Sequence, residues 1–286
     1  MSTKLDKDRG GEAAPVFSWD APEVFLALGL KQQEAALLAL EDEAREPWLR
    51  LLEADPRKGR RDLARRLRRR RDKDQALERR WRELSEFDRR HAGGVRLAGV
   101  DEVGRGPLAG PVTAAAVILP EGWRAPGLDD SKRLSAHRRE HWAERIRQDA
   151  LAFEIRDLSA AEVDRMGIRH AVLRAMCEAV AGLEPAPERV LVDGRETPPG
   201  LAGALAVVGG DARSLSVAAS SVLAKVHRDA IMAEMAGRHP GYGFEGHKGY
   251  GSAGHIEAIR RLGPCPIHRR SFLGRILAEE PESPGP

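Results

Sequence analysis

The chain has 286 residues, a formal net charge of +3 and 42% hydrophobic residues. This length allows one sizeable domain with an appendage, and the apolar fraction is sufficient for a buried core. No apolar run approaches the roughly 18 residues of a membrane-spanning helix, and the polar residues 1–12 show no secretory signal. Cys177 and Cys265 are too few for a disulfide framework and lack metal-ligand spacing. A reducing cytoplasm is the simplest location.

The hydrophobic pattern of the N-terminal third predicts helices. Residues 1–20 have no hydrophobic periodicity and are interpreted as a loose tail. The following apolar residues predict a first helix that is interrupted near Gly29, and a second helix covers about residues 43–52. From residue 57 to 90, leucines and Trp81 recur at spacings of three or four, which predicts one long amphipathic helix.

This long predicted helix carries most of the positive charge. Residues 57–90 contain 16 Lys or Arg and 7 Asp or Glu, so their net charge is +9, and six arginines fall within residues 65–71. An acidic body with a basic appendage favours a polyanionic partner over a membrane. Two interpretations stay open: a solvated helix face, or a surface that binds a phosphate backbone.

The central stretch, residues 97–119, contains the most informative pattern. Two apolar runs, Leu97–Val100 and Val112–Leu119, predict buried strands bounded by glycine and proline. Asp101 and Glu102 follow the first run. Burying adjacent carboxylates costs several kcal/mol unless a cation compensates them, and a divalent metal ion is the natural compensator. The alternative is a solvated acidic turn.

The remaining chain alternates predicted helices and strands. Ser135 is a plausible N-cap of a helix that carries Trp142 and Ile146. Further strands are predicted over residues 151–156, 189–193 and 204–208, and further helices over residues 168–183 and from Ser214 or Ser216 onward. This order predicts an α/β domain with a mixed central sheet.

Acidic side chains follow three of these predicted strands. Asp193 and Asp211 end two of them, as Asp101 and Glu102 end the first. Each aspartate alone could belong to an ordinary turn. The acids can meet only if their strands are neighbours in one sheet, and two Mg²⁺ or Mn²⁺ ions about 3.5–4 Å apart would then neutralise them and serve phosphodiester cleavage.

Residues 101–111 read Asp-Glu-Val-Gly-Arg-Gly-Pro-Leu-Ala-Gly-Pro, which resembles the signature of the ribonuclease HII family, enzymes that cut RNA in RNA–DNA hybrids. Residues 209–229, 241–251 and 267–272 also look like blocks of this family, so the resemblance covers about residues 95–273. Ser220 and Gly167 depart from the family pattern. The helical extension before residue 92 resembles that of some members less specifically.

The resemblance implies a ribonuclease-H-like mixed sheet flanked by helices, with a helical N-terminal extension over residues 1–92 and a small helical C-terminal part. The catalytic domain would cover residues 93–275, before a disordered tail over residues 276–286. The implied enzyme uses Mn²⁺ or Mg²⁺ to hydrolyse the RNA strand of RNA–DNA hybrids. It also nicks duplex DNA on the 5′ side of embedded ribonucleotides, leaving 5′-phosphate and 3′-hydroxyl ends.

The same resemblance assigns the site residues. The implied catalytic, metal-binding acids are Asp101, Glu102, Asp193 and Asp211. Gly104, Arg105 and Gly106 would detect the ribose 2′-hydroxyl, because glycines let the backbone approach a sugar closely. Tyr250 would stack on the neighbouring deoxyribose. Lys132 and Lys225 are interpreted either as phosphate contacts or as ordinary exposed lysines, and His268 as a structural residue.

The expected partners are RNA–DNA hybrid and DNA duplex containing ribonucleotides. The protein is expected to be a monomer and not to bind a membrane. One rival hypothesis is a non-catalytic nucleic-acid-binding protein that uses the arginine-rich helix. Another is a transferase that cradles phosphate with the glycine-rich stretch. The chain lacks the Gly-Lys-Ser/Thr loop that such a transferase would need.

Overall fold

The computed structural model describes residues 22–278, which group into two compact units divided between Leu77 and Glu78. The predicted loose tail over residues 1–20 lies outside the described residues. The helices are α1 (Pro22–Ala27), α2 (Leu30–Leu38), α3 (Asp42–Ala54), α4 (Lys58–Ala92), α5 (Ala136–Asp149), α6 (Ala160–Met166), α7 (Ile168–Ala181), α8 (Leu215–Arg238), α9 (Phe244–His247), α10 (Ala253–Leu262) and α11 (Gly274–Ala278). The strands are β1 (Leu97–Val103), β2 (Val112–Ile118), β3 (Ala152–Leu158), β4 (Arg189–Asp193) and β5 (Leu205–Val207).

The smaller unit contains α1, α2, α3 and the part of α4 up to Leu77. Gly29 separates α1 from α2, as the sequence predicted. The apolar faces of these helices meet in a core formed by Phe25, Leu37, Leu49, Leu52, Leu63 and Leu67. Arg60 is buried beside this core and donates to Asp55 at 2.5 Å, so its charge is paired.

Part of the arginine run stabilises this helical unit. Arg68 donates to Glu53 at 2.6 Å and to Glu46 at 2.8 Å, and Arg71 donates to Glu46 at 2.7 Å. The hydrogen bonds that Glu46 accepts from Arg68 and Arg71 lower its pKa to about 2. Arg69 and Arg70 are exposed, so the run has one side committed to α3 and another side open to solvent.

The larger unit is built on a five-stranded sheet with the order β3-β2-β1-β4-β5. β1 pairs antiparallel with β2, and β2 pairs antiparallel with β3. β4 pairs parallel with β1, and β5 pairs parallel with β4. The mixed sheet confirms the predicted fold class, and β1, β4 and β5 are neighbours as the acidic pattern required.

Helices cover both faces of this sheet, which explains why every residue of β2 is buried. One face packs against α7, with Ala98, Val100, Ala114 and Ala116 in the shared core. The opposite face packs against α5 and α8. At Gly99, an added Cβ would lie 2.2 Å from the backbone of Ser216, so only glycine lets α8 lie this close to β1.

Residues 78–92 of α4 group with the larger unit, before the domain boundary that the sequence predicted at residue 92. The Trp81 indole donates to the Trp123 carbonyl at 3.0 Å, and Leu84 is buried in the core beneath α5 and α8. At the other end of the chain, α11 extends to Ala278, so the first residues of the predicted disordered tail are helical. No helix among residues 22–278 is long and apolar enough to cross a membrane.

Asp88 on α4 supports the N-terminus of α8. Its Oδ2 accepts the backbone N–H of Ser216 at 2.7 Å, one of the amides that an α-helix leaves unpaired in its first turn. Burial raises the pKa of Asp88 above its usual range. The hydrogen bond thus holds a buried carboxyl group at the start of α8.

We expect Asp88→Ala to destabilise the protein by about 1–2 kcal/mol, because it leaves a buried amide without an acceptor. Asp88→Asn keeps an acceptor oxygen and should cost less than Asp88→Ala. The measurement is urea-induced unfolding of both variants beside the exposed control Glu83→Ala on the same helix. Equal losses in the alanine and asparagine variants would contradict this role.

Candidate active site

Three of the predicted acids meet at one edge of the sheet. Asp101, Glu102 and Asp193 each offer a carboxylate oxygen, and these oxygens lie within 4.8 Å of one another. The parallel pairing of β1 and β4 ends at Val100 and Val192, so the next residue of each strand is an aspartate at the same level. We call these three residues the acidic cluster.

The strand that carries two of these acids is longer than predicted. β1 continues to Val103, so Asp101 and Glu102 lie within the strand and not after it. The reason is the antiparallel pairing with β2, which extends to the pair Val103 and Thr113 after the pairing with β4 has ended. The sequence did not indicate this extension, because Gly104 follows closely and glycine usually ends a predicted strand.

The acidic cluster has an unfavourable electrostatic environment. Burial raises the pKa of Asp101 well above its usual range, and the charges of Glu102 and Asp193 raise it further. Burial also raises the pKa of Glu102, although Arg105 opposes this shift. The Arg105 guanidinium lies 3.2 Å from Glu102 Oε1 and is its only ion-pair partner among the described residues. Among the described residues, a single ion-paired guanidinium thus faces three carboxylates.

Backbone amides and one hydroxyl hold the acids in place. Asp101 Oδ1 accepts the backbone N–H of Glu102 at 2.7 Å, and Asp101 also accepts a hydrogen bond from Ser221. Asp193 Oδ1 accepts the backbone N–H of Gly210 at 2.6 Å. These bonds fix the carboxylates without neutralising them.

Asp211 lies beside the acidic cluster. It occupies a 3₁₀ turn, Gly210–Ala212, whose first amide binds Asp193. Burial raises the pKa of Asp211, and the charges of Asp130 and Asp193 add to this effect. Its carboxylate lies 3.5 Å from Lys132 Nζ. Asp211 does not belong to the group of three within 4.8 Å among residues 22–278.

The acidic cluster fits a divalent cation. All its donors are carboxylate oxygens, the ligands preferred by Mg²⁺ and Mn²⁺, and no imidazole or thiolate lies among them. Burial, with repulsion between the acids, raises the pKa values of Asp101 and Glu102, so the charged carboxylates are unfavourable here without a cation. A bound cation would offset this cost.

The predicted glycine loop, residues 104–106, begins two residues after Glu102 of the acidic cluster. Gly104 has a φ of +92°, and an added Cβ would lie 2.4 Å from the Arg228 side chain and 2.7 Å from the Pro111 carbonyl, so glycine is required there. At Gly106 an added Cβ would meet nothing within 4 Å. The fold thus requires Gly104 and leaves open space at Gly106. The Arg105 side chain is 59% exposed.

Tyr250 is 42% exposed and follows Gly249, which has a φ of +86°. The Gly249 carbonyl accepts the backbone N–H of Leu108 at 2.8 Å, so the tyrosine adjoins the segment after the glycine loop. The Arg228 guanidinium lies 5.8 Å from the centre of the Tyr250 ring. The structure therefore brings Tyr250 beside the segment that directly follows the glycine loop.

The two predicted lysines differ in environment. The Lys132 side chain is 82% exposed and faces Asp211, at the border of the acidic cluster. The Lys225 side chain is only 22% exposed and pairs with Asp229 at 2.7 Å. Lys132 is thus available to a phosphate, whereas Lys225 is already committed to an ion pair.

Sequence reasoning assigned no role to two buried arginines. Arg228 donates to the carbonyls of Ala109, Pro111 and Lys248, and Arg269 donates to the carbonyls of Gly104, Arg105 and Gly110. Burial lowers the pKa of Arg269 to about 10. Their acceptors are backbone carbonyls, most of them more than a hundred residues away in the sequence. No local sequence pattern therefore indicates the role of either arginine.

A cleft of about 590 Å³ opens beside the acidic cluster. Its polar wall includes Glu102, Arg105, Arg169 and Asp193, and its apolar floor is formed by Val172, Leu173 and Met176. An accessible cleft that contains two of the three clustered acids is suited to a substrate that approaches a bound metal ion.

Comparison with known proteins agrees with this geometry. The sequence model of ribonuclease HII matches residues 98–274, and that of the ribonuclease HII N-terminal domain matches residues 30–92. The chain belongs to the ribonuclease HII family. It is accordingly a hydrolase of the ribonuclease H type.

Relatives in this family match most of the chain. Ribonuclease HII of Myxococcus xanthus is 45% identical over 258 residues, which are 89% of this chain and 88% of the relative. Ribonuclease HII of Geobacillus kaustophilus is 49% identical over 80% of this chain and 88% of the relative. The crystal structure of ribonuclease H2 from Pyrococcus horikoshii superposes with a TM-score of 0.56 and 25% identity, covering 64% of this chain and 97% of that one.

We expect Asp101→Asn to raise stability in the absence of metal by about 1 kcal/mol, or roughly 2–4 °C, because it removes one repelling carboxylate. The same variant should lose most of the gain in melting temperature that Mn²⁺ gives the parent protein, since ligand binding stabilises only a competent site. The measurement is thermal unfolding with chelator and with Mn²⁺. Glu234→Gln, an equal change of charge at an exposed position of α8, is the control. Equal Mn²⁺ responses in all three proteins would exclude Asp101 as a ligand.

Proposed function

We propose that this protein is an endoribonuclease that hydrolyses the RNA strand of RNA–DNA hybrids and nicks duplex DNA on the 5′ side of embedded ribonucleotides. The products would carry 5′-phosphate and 3′-hydroxyl ends. The observation that carries the proposal is the acidic cluster, whose three carboxylates meet within 4.8 Å directly before the glycine loop. Membership of the ribonuclease HII family supports the choice of substrate.

Asp101, Glu102 and Asp193 would hold Mn²⁺ or Mg²⁺, with Asp211 as a fourth acid beside them. When bound there, two such ions would supply an activated water and stabilise the charge of the leaving oxygen. The protein's own contribution is to fix the donors beforehand. The Gly210 amide orients Asp193, while Ser221 and the Glu102 amide orient Asp101.

Two cationic side chains border this site and suit a phosphodiester. Arg105 is 59% exposed although it pairs with Glu102, and Lys132 is 82% exposed although it faces Asp211. Both can therefore approach a phosphate while remaining near the acids. Lys225 would have to leave Asp229 first, so we assign phosphate contact to Lys132 before Lys225.

Choice of substrate requires detection of the ribose 2′-hydroxyl, the group that separates RNA from DNA. We assign this detection to Gly104, Arg105 and Gly106. Open space at Gly106 would admit a sugar close to the backbone. Tyr250 is 42% exposed and adjoins the segment after this loop, and it would stack on the deoxyribose that follows the ribonucleotide.

We place this activity in the cytoplasm, in a monomer that acts during DNA replication and repair. The substrate supports this placement, since ribonucleotides in duplex DNA arise where DNA is synthesised. The domain division that we propose keeps residues 93–275 as the catalytic part.

A purely binding function is the alternative, and the exposed side of the arginine run is the observation that favours it. Such a protein would have no use for three repelling carboxylates next to an accessible cleft. Loss of cleavage on adding chelator distinguishes an enzyme from a binding protein.

The decisive experiment incubates the protein with a DNA duplex that contains one ribonucleotide, in the presence of Mn²⁺ or Mg²⁺. We expect a single nick on the 5′ side of the ribonucleotide. Asp101→Asn should reduce the rate by about 10²-fold or more, because it removes a key electrostatic group. Glu234→Gln should cleave like the parent. An Asp101→Asn variant with more than about a tenth of the parent's activity would refute the ligand role.

The exposed arginines should contribute affinity without choosing the site of cleavage. Phosphate contacts position a protein but carry no sequence information, and each contact adds about 0.9 to the slope of log affinity against log salt. We expect Arg69→Ala combined with Arg70→Ala to weaken duplex binding and lower this slope by up to about 2, with the cut position unchanged. The control is Arg82→Ala with Arg89→Ala, which removes the same charge from exposed positions outside the run. Identical slopes in both double variants would show that only net charge matters.

A further inference from the structure

The segment that follows Pro266 lies against both elements assigned to sugar recognition. The backbone N–H of Arg269 donates to the Leu108 carbonyl at 2.8 Å, and the Gly110 N–H donates to the Ile267 carbonyl at 2.9 Å. These bonds form a short antiparallel bridge between His268 and Ala109. The segment is thereby fixed to the end of the glycine loop.

The Arg269 side chain extends this attachment to the glycine loop itself. Its guanidinium donates to the Gly104 carbonyl at 2.7 Å and to the Arg105 carbonyl at 3.1 Å. Arg269 is fully buried and forms no salt bridge among the described residues. Its donors are therefore used to hold backbone carbonyls, and the rigid fork of arginine suits such a multiple contact.

His268 reaches the other recognition element through a second histidine. Its Nδ1 lies 2.9 Å from the backbone N of Cys265, 3.1 Å from its Sγ and 3.3 Å from its carbonyl oxygen. The shortest of these contacts, in which Nδ1 accepts the backbone N–H, selects the neutral tautomer with its proton on Nε2. That proton is donated to Nε2 of His255 at 3.1 Å. The proton of His255 is then on Nδ1, which donates to the Tyr250 carbonyl at 2.8 Å. The chain of bonds from Cys265 through both histidines to Tyr250 is called the histidine relay.

The relay requires both histidines to be neutral, because an additional proton would place two donors face to face at one of its links. Its surroundings favour the neutral forms. Burial lowers the pKa of His255, and burial together with the charge of His255 lowers the pKa of His268 to about 4. The titratable groups around the pair are His239, His247, Cys265 and Tyr242.

We propose that His268 and Arg269 are positioning residues that set the placement of Tyr250 relative to the Gly104–Gly106 loop, so that ribose and the next deoxyribose are recognised together. Arg269 holds the loop, and His268 holds Tyr250 through His255. Neither residue needs to touch the substrate. This inference rests on the proposed function. It assigns a role to two residues that do not belong to the acidic cluster.

The test compares kcat/KM on two substrates, a duplex with one embedded ribonucleotide and a continuous RNA strand paired with DNA. Tyr250→Ala should lose more on the first substrate, where a deoxyribose follows the cut site. His268→Ala should reproduce this selective loss, by about 10- to 100-fold, since displacement of a recognition group by about 1 Å can have that effect. His255→Leu, which breaks the relay at another link, is the second variant if His268→Ala does not fold.

Two further comparisons separate positioning from general destabilisation. The double variant of His268→Ala with Tyr250→Ala should lose no more selectivity than Tyr250→Ala alone, because both changes remove the same contact. Arg269→Lys should slow both substrates to the same extent, since both contain the ribose that the loop detects. The control is Ile259→Ala, a buried change in the same C-terminal core that leaves the relay intact. Ile259→Ala should keep the parent's ratio of kcat/KM between the two substrates, even if its melting temperature falls as far as that of the relay variants.

The outcomes of these experiments are distinguishable. If the parent protein cleaves neither substrate with Mn²⁺ or Mg²⁺, the proposed function itself fails. If the parent cleaves both substrates but Tyr250→Ala loses equally on both, the assignment of Tyr250 to the deoxyribose fails, and the positioning role fails with it. If Tyr250→Ala loses selectively but the relay variants lose equally on both substrates, the positioning role alone is overturned. Additive loss of selectivity in the double variant would also overturn it.

Discussion

Repulsion within the acidic cluster is the constraint on which the site depends. Three carboxylates meet because the parallel pairing of β1 with β4 ends directly before Asp101 and Asp193, and Arg105 is their only ion-pair partner among the described residues. Such a cluster costs folding free energy unless a cation joins it. The large core on both faces of the sheet supplies the stability that lets this edge remain unfavourable, as is common where strain or charge serves function.

The loops around this edge are held by a different means. Arg228 and Arg269 are buried without salt bridges among residues 22–278, and each uses its guanidinium to bind three backbone carbonyls. Neutral acceptors suit this position because another carboxylate would compete with the acidic cluster for a cation. The glycine loop is thereby fixed although it has no regular structure and includes a glycine with positive φ.

The sequence allowed the mixed sheet, its order of helices and strands and the meeting of three acids to be predicted, since all depend on local apolar runs and on the residues that end them. The long helix was predicted for the same reason, although its division between two compact units was not. The cap by Asp88, the histidine relay and the buried arginines could not be predicted. Each joins residues distant in sequence, such as Arg269 and Gly104, and the polar residue alone gives no indication of its partner.

The arginine run shows why composition is an incomplete guide to binding. A count of charge treats its arginines as equivalent, but Arg68 and Arg71 are committed to Glu46, and their hydrogen bonds lower the pKa of that carboxyl. A phosphate would have to compete with a carboxylate already in place for these two side chains. Within residues 22–278, Arg70 has only the exposed Asp74, at 3.9 Å, as a competing partner. Any affinity that this helix contributes must therefore come from its exposed side, and the other side serves the fold of the helical unit.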